Sequence, residues 1–383
     1  MNTVYLDNNA TTRVAPEVID TMEPFFGELW GNPSSMHEFG GQVAKHVETA
    51  REKVAALINA DPSEIIFTSC GTESDNMAIR GCVEEMPADT QVITSRVEHL
   101  AVLGPERRLK ETGHATIEIG VDNMGQLDLT ELEETLNKAP SVVSIMWANN
   151  ETGVVFPMQQ IAELVKDKGG IIHTDAVQAV GKLPVNVKQT PVDMLSLSGH
   201  KLHAPKGIGA LYIRKGVRIR PFLIGGHQES GKRGGTENVP YIAGLGKACE
   251  LAAAEMEKEE NHVRKLRDKL EAGILETCSN VTVNGDREMR LPNTTNLSFE
   301  FIEGEAILYS LSDEGIAASS GSACTSGSLE PSHVIRAMGI PFTLAHGSIR
   351  FSLSRYNTED EINYALEKIP PVISHLREMS PFT

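Results

Sequence analysis

Short apolar runs alternate with longer stretches of helical periodicity along the first part of the chain. The apolar runs are rich in β-branched residues and read EIIFTS, QVITS, SVVSIMWAN, IIHTDAV, DMLSLSGHK and GALYIRK. Helical stretches such as DNMAIRGCVEEM, LAVLGPERRLKET and MQQIAELVKDKG separate several of them. This alternation predicts strands joined by crossover helices, and therefore an α/β fold with a mostly parallel central sheet.

The last third of the chain has a different pattern, dominated by one long helical stretch. From about Tyr241 to Leu275, apolar residues recur at helical spacing among many charges, which predicts a helix that links two domains. Beyond it, NTTNLSFE, EAILYSLSDEG, SIRFSLSRY and TEDEINYALEKI predict a smaller α+β domain. We therefore predict a large domain over residues 15–255 and a small domain formed by 1–14 with 256–383.

The charge of the chain limits its partners. The 383 residues carry a formal net charge of −17, which repels phosphate backbones and anionic lipid, so we expect no direct binding to nucleic acid or membranes. The chain has no apolar run of about eighteen residues, and MNTVYLDNNATT carries an acid where a secretory signal would be basic. These features predict a cytoplasmic protein that acts on small molecules and other proteins.

The five cysteines are scattered, and no two of them form a CxxC pair. A disulfide framework or a zinc site is therefore not expected. Most such cysteines are small buried apolar residues. Cys324 differs because it lies in SSGSACTSGSLEPSH, whose small polar residues predict a loop over about 319–332. On composition alone, a reactive thiol and a structural thiol describe Cys324 equally well.

Two side chains that suit a cofactor site, those of Lys201 and Asp175, lie at the ends of predicted strands. Lys201 follows MLSL in SGHK, at a strand end where open α/β sheets place their ligand sites, and a lysine there can form a Schiff base. An isolated SxHK is more often a surface lysine, and Lys206 in HAPKG is a rival in a predicted turn. Asp175 ends IIHTD, about a strand and a helix before Lys201, where it can pair with the ring nitrogen of pyridoxal phosphate. Gln178 can then reach the ring hydroxyl, although Asp175 by itself equally suits a helix cap.

The segment FTSCGTESDN predicts a phosphate site. It runs from a strand through Gly71 and Thr72 into a helix start, where backbone N–H groups and the Thr72 hydroxyl form a cradle. The alternative is a simple N-cap, since Thr72 and Asp75 also form a capping-box pattern with Asp in place of Glu. His99 in SRVEHLAV follows another strand and can stack on a cofactor ring, although a single histidine is more often structural.

The order of these residues is more informative than any one of them, and it resembles the fold-type I pyridoxal-phosphate enzymes. Further motifs narrow the resemblance to the cysteine desulfurases of the NifS/IscS type over essentially the whole chain. These motifs are YLDNNATT, GNPSSMHEFG, FTSCGTESDN, ANNETG, HTDAVQ, SGHK, GGTEN, SSGSACTSG and HGSIRFSLSRYNTE. The resemblance implies a fold-type I transferase that converts L-cysteine to L-alanine and holds the sulfur as a persulfide on Cys324.

The resemblance also implies a role for each matching residue. Lys201 would carry the cofactor, and Cys324 and His99 would complete the catalytic set. The implied cofactor-binding residues are Thr72, Glu73, His99, Asn150, Asp175, Gln178, Ser198, His200, Lys201 and Thr236. Asn150 and Arg350 would hold the substrate carboxylate.

The same resemblance implies partners. Thr236 would come from the second subunit, so a homodimer with shared sites is expected. The acceptor would be an iron–sulfur scaffold protein of the NifU/IscU type. No stable metal site is expected, although Cys324 would be available as a transient cluster ligand with such a partner.

Two departures from the family pattern and several alternatives accompany this interpretation. Cys70 stands where the family usually has Gly, which brings a second thiol to the cofactor site, and a long C-terminal docking tail is expected to be short or absent. A selenocysteine lyase or another fold-type I aminotransferase would share Lys201 and Asp175. An aminotransferase does not need the SSGSACTSG loop. An iron–sulfur scaffold would need converging cysteines, and these are dispersed.

Overall fold

The computed structural model describes residues 3–320 and 331–381. Its strands are β1 Val4–Tyr5, β2 Ile65–Thr68, β3 Gln91–Ser95, β4 Thr116–Ile119, β5 Ser141–Ser144, β6 Ile171–Asp175, β7 Met194–Ser198, β8 Gly209–Ile213, β9 Val281–Val283, β10 Thr294–Phe299, β11 Ile316–Ala317 and β12 Ser348–Ser352. Its α-helices are α1 Pro16–Met22, α2 Pro24–Gly27, α3 Glu38–Ile58, α4 Gly71–Val83, α5 Leu100–Glu111, α6 Leu129–Leu136, α7 Met158–Asp167, α8 Val239–Thr277, α9 Gly304–Asp313, α10 His333–Ala337, α11 Phe342–Ala345 and α12 Glu359–Met379.

A seven-stranded sheet in the order β2-β8-β7-β6-β5-β3-β4 forms the centre of the molecule. The pairs from β4 to β7 are parallel, as the alternating pattern predicts. Strand β8, with the sequence GALYI, runs antiparallel to both β7 and β2, so the sheet is mostly parallel, as predicted, and contains one antiparallel strand. The helix predicted between Asp175 and Lys201 is also absent, because turns connect β6 to β7.

The long helix α8 confirms the stretch predicted between Tyr241 and Leu275. Its first half packs in the main apolar core with α3 and α1, and its second half packs in a separate core with α12 and β10. The change from one core to the other falls between Ala252 and Val263. The proposed domain boundary at residue 255 lies in this interval and remains a prediction.

The second core lies against a small antiparallel sheet in which β10 pairs with both β9 and β12. Val4 and Leu6 from the start of the chain belong to this core, and β1 pairs with β11 beside it. The chain then passes through Asn9 and Ala10 into the large sheet's cavity. This course brings residues near the start of the chain to the same cavity as Arg350 of β12. Over the described residues, none of the helices has the length and apolar character that crossing a membrane requires.

Candidate active site

A cavity of about 380 Å³ lies where β6 and β7 end and α4 begins. Parallel strands bring their carboxyl ends to one edge, so residues distant in sequence meet there. The structure brings nine of the predicted site residues to this cavity, which are Thr72, His99, Asn150, Asp175, Gln178, Ser198, His200, Lys201 and Arg350. Asn9, Ala10, Cys70, Gly71 and Asp75 share its wall.

Lys201 lies in a short 3-10 turn directly after β7. Its Nζ donates to the carbonyl oxygen of Ala10 at 2.7 Å and to that of Asn9. Burial, reinforced by the positive charges of Lys182 and Arg350, lowers the pKa of the Lys201 amine to about 7. A substantial fraction of this amine is therefore neutral at neutral pH, which is the form that attacks a carbonyl carbon.

Asp175 is the last residue of β6, and its side chain is 7% exposed. Its Oδ1 accepts from the backbone N–H of Val177 at 2.9 Å, in a turn rather than in the helix cap considered above. Burial raises the pKa of the Asp175 carboxyl, while the charges of His99 and Lys201 oppose the rise. A cation placed in the cavity would therefore stabilise the Asp175 carboxylate.

Helix α4 begins at Gly71, two residues before the start at Glu73 that the capping-box pattern indicates. Thr72 is inside the first turn, and Cys70 occupies the N-cap position without a side-chain capping bond, so the capping-box alternative is wrong. A Cβ on Gly71 would lie 2.9 Å from Cγ2 of Val177. A glycine at this position therefore lets the start of α4 pack closely against Val177 at the cavity wall.

The hydroxyl of Ser198 adds to this helix terminus. It is buried at the cavity and has no hydrogen-bond partner within the described part of the chain. An orphaned buried hydroxyl is costly unless a ligand satisfies it. Nearby, Nδ1 of His200 lies 3.2 Å from Oγ1 of Thr11, and burial lowers the pKa of His200 to about 4. A helix N-terminus, an unpaired hydroxyl and the Lys201 amine together fit the phosphate and aldehyde groups of pyridoxal phosphate.

His99 is the N-cap residue of α5, and its Nδ1 accepts from the backbone N–H of Ala101 at 3.1 Å. Burial lowers the pKa of the His99 imidazole, and the Asp175 charge opposes this shift. The neutral ring therefore carries its proton on Nε2, because Nδ1 is occupied as an acceptor. In this tautomer, His99 can donate a hydrogen bond from Nε2.

Arg350, in strand β12, enters the cavity from the small sheet. Its Nη1 donates to the carbonyl oxygen of Asn150 at 2.9 Å, and its Nη2 donates to Asp7 at 2.7 Å. Its Nε is buried and has no hydrogen-bond partner among the residues that the structure describes. The guanidinium therefore retains donor capacity for an anionic ligand.

The remaining predicted residues lie elsewhere. The Glu73 side chain pairs with Arg233 at 2.9 Å and accepts from the backbone N–H of Ser69, so it is directed away from the cavity that Thr72 lines. Thr236 lines a different cavity of about 140 Å³. Cys324 lies outside the residues that the structure describes. Cys70 is in the cavity wall, with its sulfur 3.7 Å from the Ser69 hydroxyl.

Asn9, for which the sequence predicted no individual role, lies at the centre of the site. Its carbonyl oxygen accepts from Lys201 and from Nε2 of Gln178, and its Nδ2 donates to the carbonyl oxygen of Asn150 at 3.2 Å. The polar run DNNATT was part of the family resemblance and was the signal available. Asp7 was missed because its partner, Arg350, is remote in sequence. Lys182 was missed because it does not line the cavity that holds the predicted residues.

The family model, the similar sequences and the similar structures all point to the cysteine desulfurases. The model of the family described as Aminotransferase class-V matches residues 4–365. A cysteine desulfurase of Trichormus azollae is 58% identical over 100% of this chain and 96% of its own length. The cysteine desulfurase NifS of Azotobacter vinelandii is 56% identical over 100% of this chain and 95% of its own length. A solved NifS-like protein superposes with a TM-score of 0.92 at 42% identity, covering 98% of this chain and 100% of that one.

Proposed function

The chain belongs to the class-V aminotransferase family as a pyridoxal-phosphate-dependent cysteine desulfurase, and we propose that Lys201 forms the covalent bond to the cofactor. The observation that carries this assignment is the amine of Lys201, which lies in the cavity with its pKa lowered to about 7. Lys206, the rival lysine, is exposed. It therefore lacks the burial that lowers the pKa of Lys201.

The residues around Lys201 would hold the rest of the cofactor. Asp175 would pair with the ring nitrogen, Gln178 would donate to the ring hydroxyl, and His99 would stack on the ring. The N-terminus of α4 with Thr72, Ser198 and His200 would bind the phosphate. Bound in this way, pyridoxal phosphate supplies an electron sink for bonds made by the α-carbon of an amino acid.

The substrate is L-cysteine, and Arg350 with Asn150 would hold its carboxylate. The unpartnered Nε of Arg350 supports this role, because a bidentate pair with a carboxylate uses neighbouring guanidinium donors. Lys201, with its lowered pKa, would move the proton at the α-carbon. His99 would donate a hydrogen bond from Nε2 to the thiolate of Cys324, since Nδ1 accepts from the backbone N–H of Ala101.

Cys324 would take the sulfur. Its thiolate attacks the sulfur of the substrate, so that a sulfur–sulfur bond forms and the bond from that sulfur to the β-carbon breaks. The electron pair of the broken bond stays with the carbon, which is then protonated. The products are L-alanine and a persulfide on Cys324, and the atoms of substrate and thiol are all accounted for.

We further propose a homodimer with shared sites and an iron–sulfur scaffold of the NifU/IscU type as the sulfur acceptor. The similarity to a relative named NifS supports the iron–sulfur role. The position of Thr236 supports the dimer, because it lines a cavity other than that of Lys201 and so is available to a neighbouring subunit.

The function is tested on purified protein supplied with L-cysteine and a thiol reductant. We expect a yellow protein that releases alanine and sulfide in equal amounts. Cys324→Ala should keep the colour and lose sulfide release, and Cys70→Ala is the matched control that should retain both. Turnover of Cys324→Ala at the wild-type rate would remove this cysteine from the mechanism, and transamination of a keto acid would contradict the desulfurase assignment.

Shared sites are tested by mixing subunits. Lys201→Ala and Thr236→Ala chains are each expected to be impaired alone, but a mixed dimer would contain one site with both native residues. Co-refolding the two variants should therefore restore activity. A chain carrying both substitutions, mixed with wild type, forms hybrid dimers without an intact site and provides the control. Absence of restoration in the first mixture would contradict the shared site.

A further inference from the structure

Lys182 lies behind the cofactor cavity and is hydrogen-bonded to Gln178. Its Nζ donates to the side-chain oxygen Oε1 of Gln178 at 3.0 Å and to the backbone carbonyl oxygen of the same residue at 3.2 Å. Gln178 lines the cofactor cavity, whereas Lys182 lines a smaller cavity of about 20 Å³ on the other side of Lys201. The amide of Gln178 therefore connects a lysine outside the cofactor cavity to the interior of that cavity.

The bond from Lys182 determines which end of the Gln178 amide faces the cavity. An ammonium group has three donors and no acceptor, so the amide atom that it contacts must be the carbonyl oxygen. The NH₂ group then points the other way, where Nε2 donates one hydrogen to the carbonyl oxygen of Asn9 at 3.0 Å. Its second hydrogen is left for an acceptor in the cavity. Gln178 is 5% exposed, so solvent offers few competing partners.

The surroundings keep Lys182 in the donating form. Burial lowers the pKa of its amine to about 8, while the charge of Glu259 opposes the shift and that of Arg350 adds to it. At neutral pH the ammonium form therefore still predominates. The titratable and charged side chains that share the small cavity with Lys182 are Lys201, His203, Glu259, Glu260 and Arg355.

We propose that Lys182 is a positioning residue, which fixes the Gln178 amide so that an N–H rather than the carbonyl oxygen faces the cofactor. This proposal rests on the assignment of Gln178 to the ring hydroxyl in the proposed function. An N–H stabilises an anionic ring oxygen, whereas a flipped amide would present its own oxygen and repel it. Without Lys182, the amide has no ammonium partner to prevent that flip.

The test follows the visible absorbance of the holoenzyme as a function of pH in the absence of substrate. Lys182→Met should raise the midpoint of the absorbance change by about one pH unit, because the deprotonated form of the bound cofactor loses a stabilising donor. Lys182→Arg keeps a charged donor and should shift the midpoint by less than half as much. Lys188→Met, at an exposed lysine, is the matched control and should leave the midpoint unchanged. If Lys182→Met does not retain the cofactor, Lys182→Gln replaces it.

A Gln178→Ala background separates the possible outcomes. There, Lys182→Met should add almost no further shift if Lys182 acts through the amide. An equal shift in both backgrounds would mean that the ammonium charge acts directly, and this would overturn the proposal. A shift in Gln178→Ala without one in Lys182→Met would also overturn it while leaving the role of Gln178 intact. No shift in Gln178→Ala would refute the assignment of Gln178 itself.

Discussion

The guanidinium of Arg350 donates to the carboxylate of Asp7 at 2.7 Å, although 343 residues separate the two in sequence. Asp7 follows the short strand β1, and Arg350 lies in the buried strand β12 at the edge of the small sheet. The Arg350 side chain is 5% exposed and that of Asp7 is 19% exposed, so solvent screens this pair weakly. The start of the chain thus orients the residue proposed to bind the substrate carboxylate.

Asp7→Asn should raise the KM for L-cysteine about tenfold and leave kcat nearly unchanged. The neutral amide would hold the guanidinium less firmly, and a hydrogen bond to a charged group contributes ~1.5–3 kcal/mol. Steady-state kinetics measure both parameters. Asp20→Asn, at an exposed position on α1, is the control. A KM equal to that of the wild type would show that Asp7 does not position Arg350.

The lowered pKa of Lys201 predicts how the apoprotein takes up pyridoxal phosphate. Only the neutral amine attacks the aldehyde, so the rate of uptake should rise with pH towards a plateau above the pKa of about 7. The growth of visible absorbance after mixing measures this rate between about pH 5.5 and 9. A rate that keeps rising throughout this range would be typical of an ordinary lysine with a pKa near ~10.4.

Asp175→Asn should lower kcat/KM at least about a hundredfold. The cationic ring nitrogen of the cofactor would lose its buried carboxylate partner, at a cost of ~3 kcal/mol. The cofactor should remain bound, because Lys201 is unchanged. Asp75→Asn is the matched control: Asp75 is also buried in the cavity wall, but its Oδ1 lies 3.6 Å from Nε2 of His173. Equal losses in the two variants would argue for a general charge effect rather than for pairing by Asp175.

Glu98 predicts a pH dependence of stability. Burial raises the pKa of its carboxyl from 4.5 to about 8, so the folded protein holds a proton that the unfolded chain releases. The free energy of unfolding therefore falls as pH rises from about 4.5 towards 8. Glu98→Gln removes this titration, and its Tm relative to the wild type should be higher at alkaline pH than at pH 5.5. Parallel Tm curves for the two proteins would contradict the shifted pKa.

Helices α8 and α3 pack closely at Gly246, so a larger residue at this position should destabilise the protein. A Cβ at this position would lie 2.7 Å from the backbone Cα of Ala50, which cannot move aside as a flexible side chain can. Gly246→Ala should therefore lower the free energy of unfolding by ~1–3 kcal/mol. Gly104→Ala, in the open middle of α5, should instead raise it by up to ~1 kcal/mol. Chemical denaturation of both variants tests the contrast, and a stabilised Gly246→Ala would contradict the packing.

Local patterns were sufficient for many of the elements. Strand β3 follows from a short run rich in β-branched residues, and helix α8 follows from apolar residues at helical spacing. Asp175 and Lys201 could be placed together because parallel strands end at the same edge. The antiparallel direction of β8 was not predictable in this way, since strand direction depends on pairing with β2 and β7 rather than on composition.

The sequence by itself determined the α/β class, the strand ends that carry Lys201 and Asp175, and the motifs of the family. Only the tertiary structure decided that Arg350 donates to Asp7, that the Asn9 carbonyl oxygen accepts from Lys201, and that Lys182 donates to the Gln178 amide oxygen. The physical reason is that periodicity records which side chains are buried, whereas a hydrogen bond depends on the direction of one donor towards one acceptor. That direction is fixed only when both apolar cores have packed.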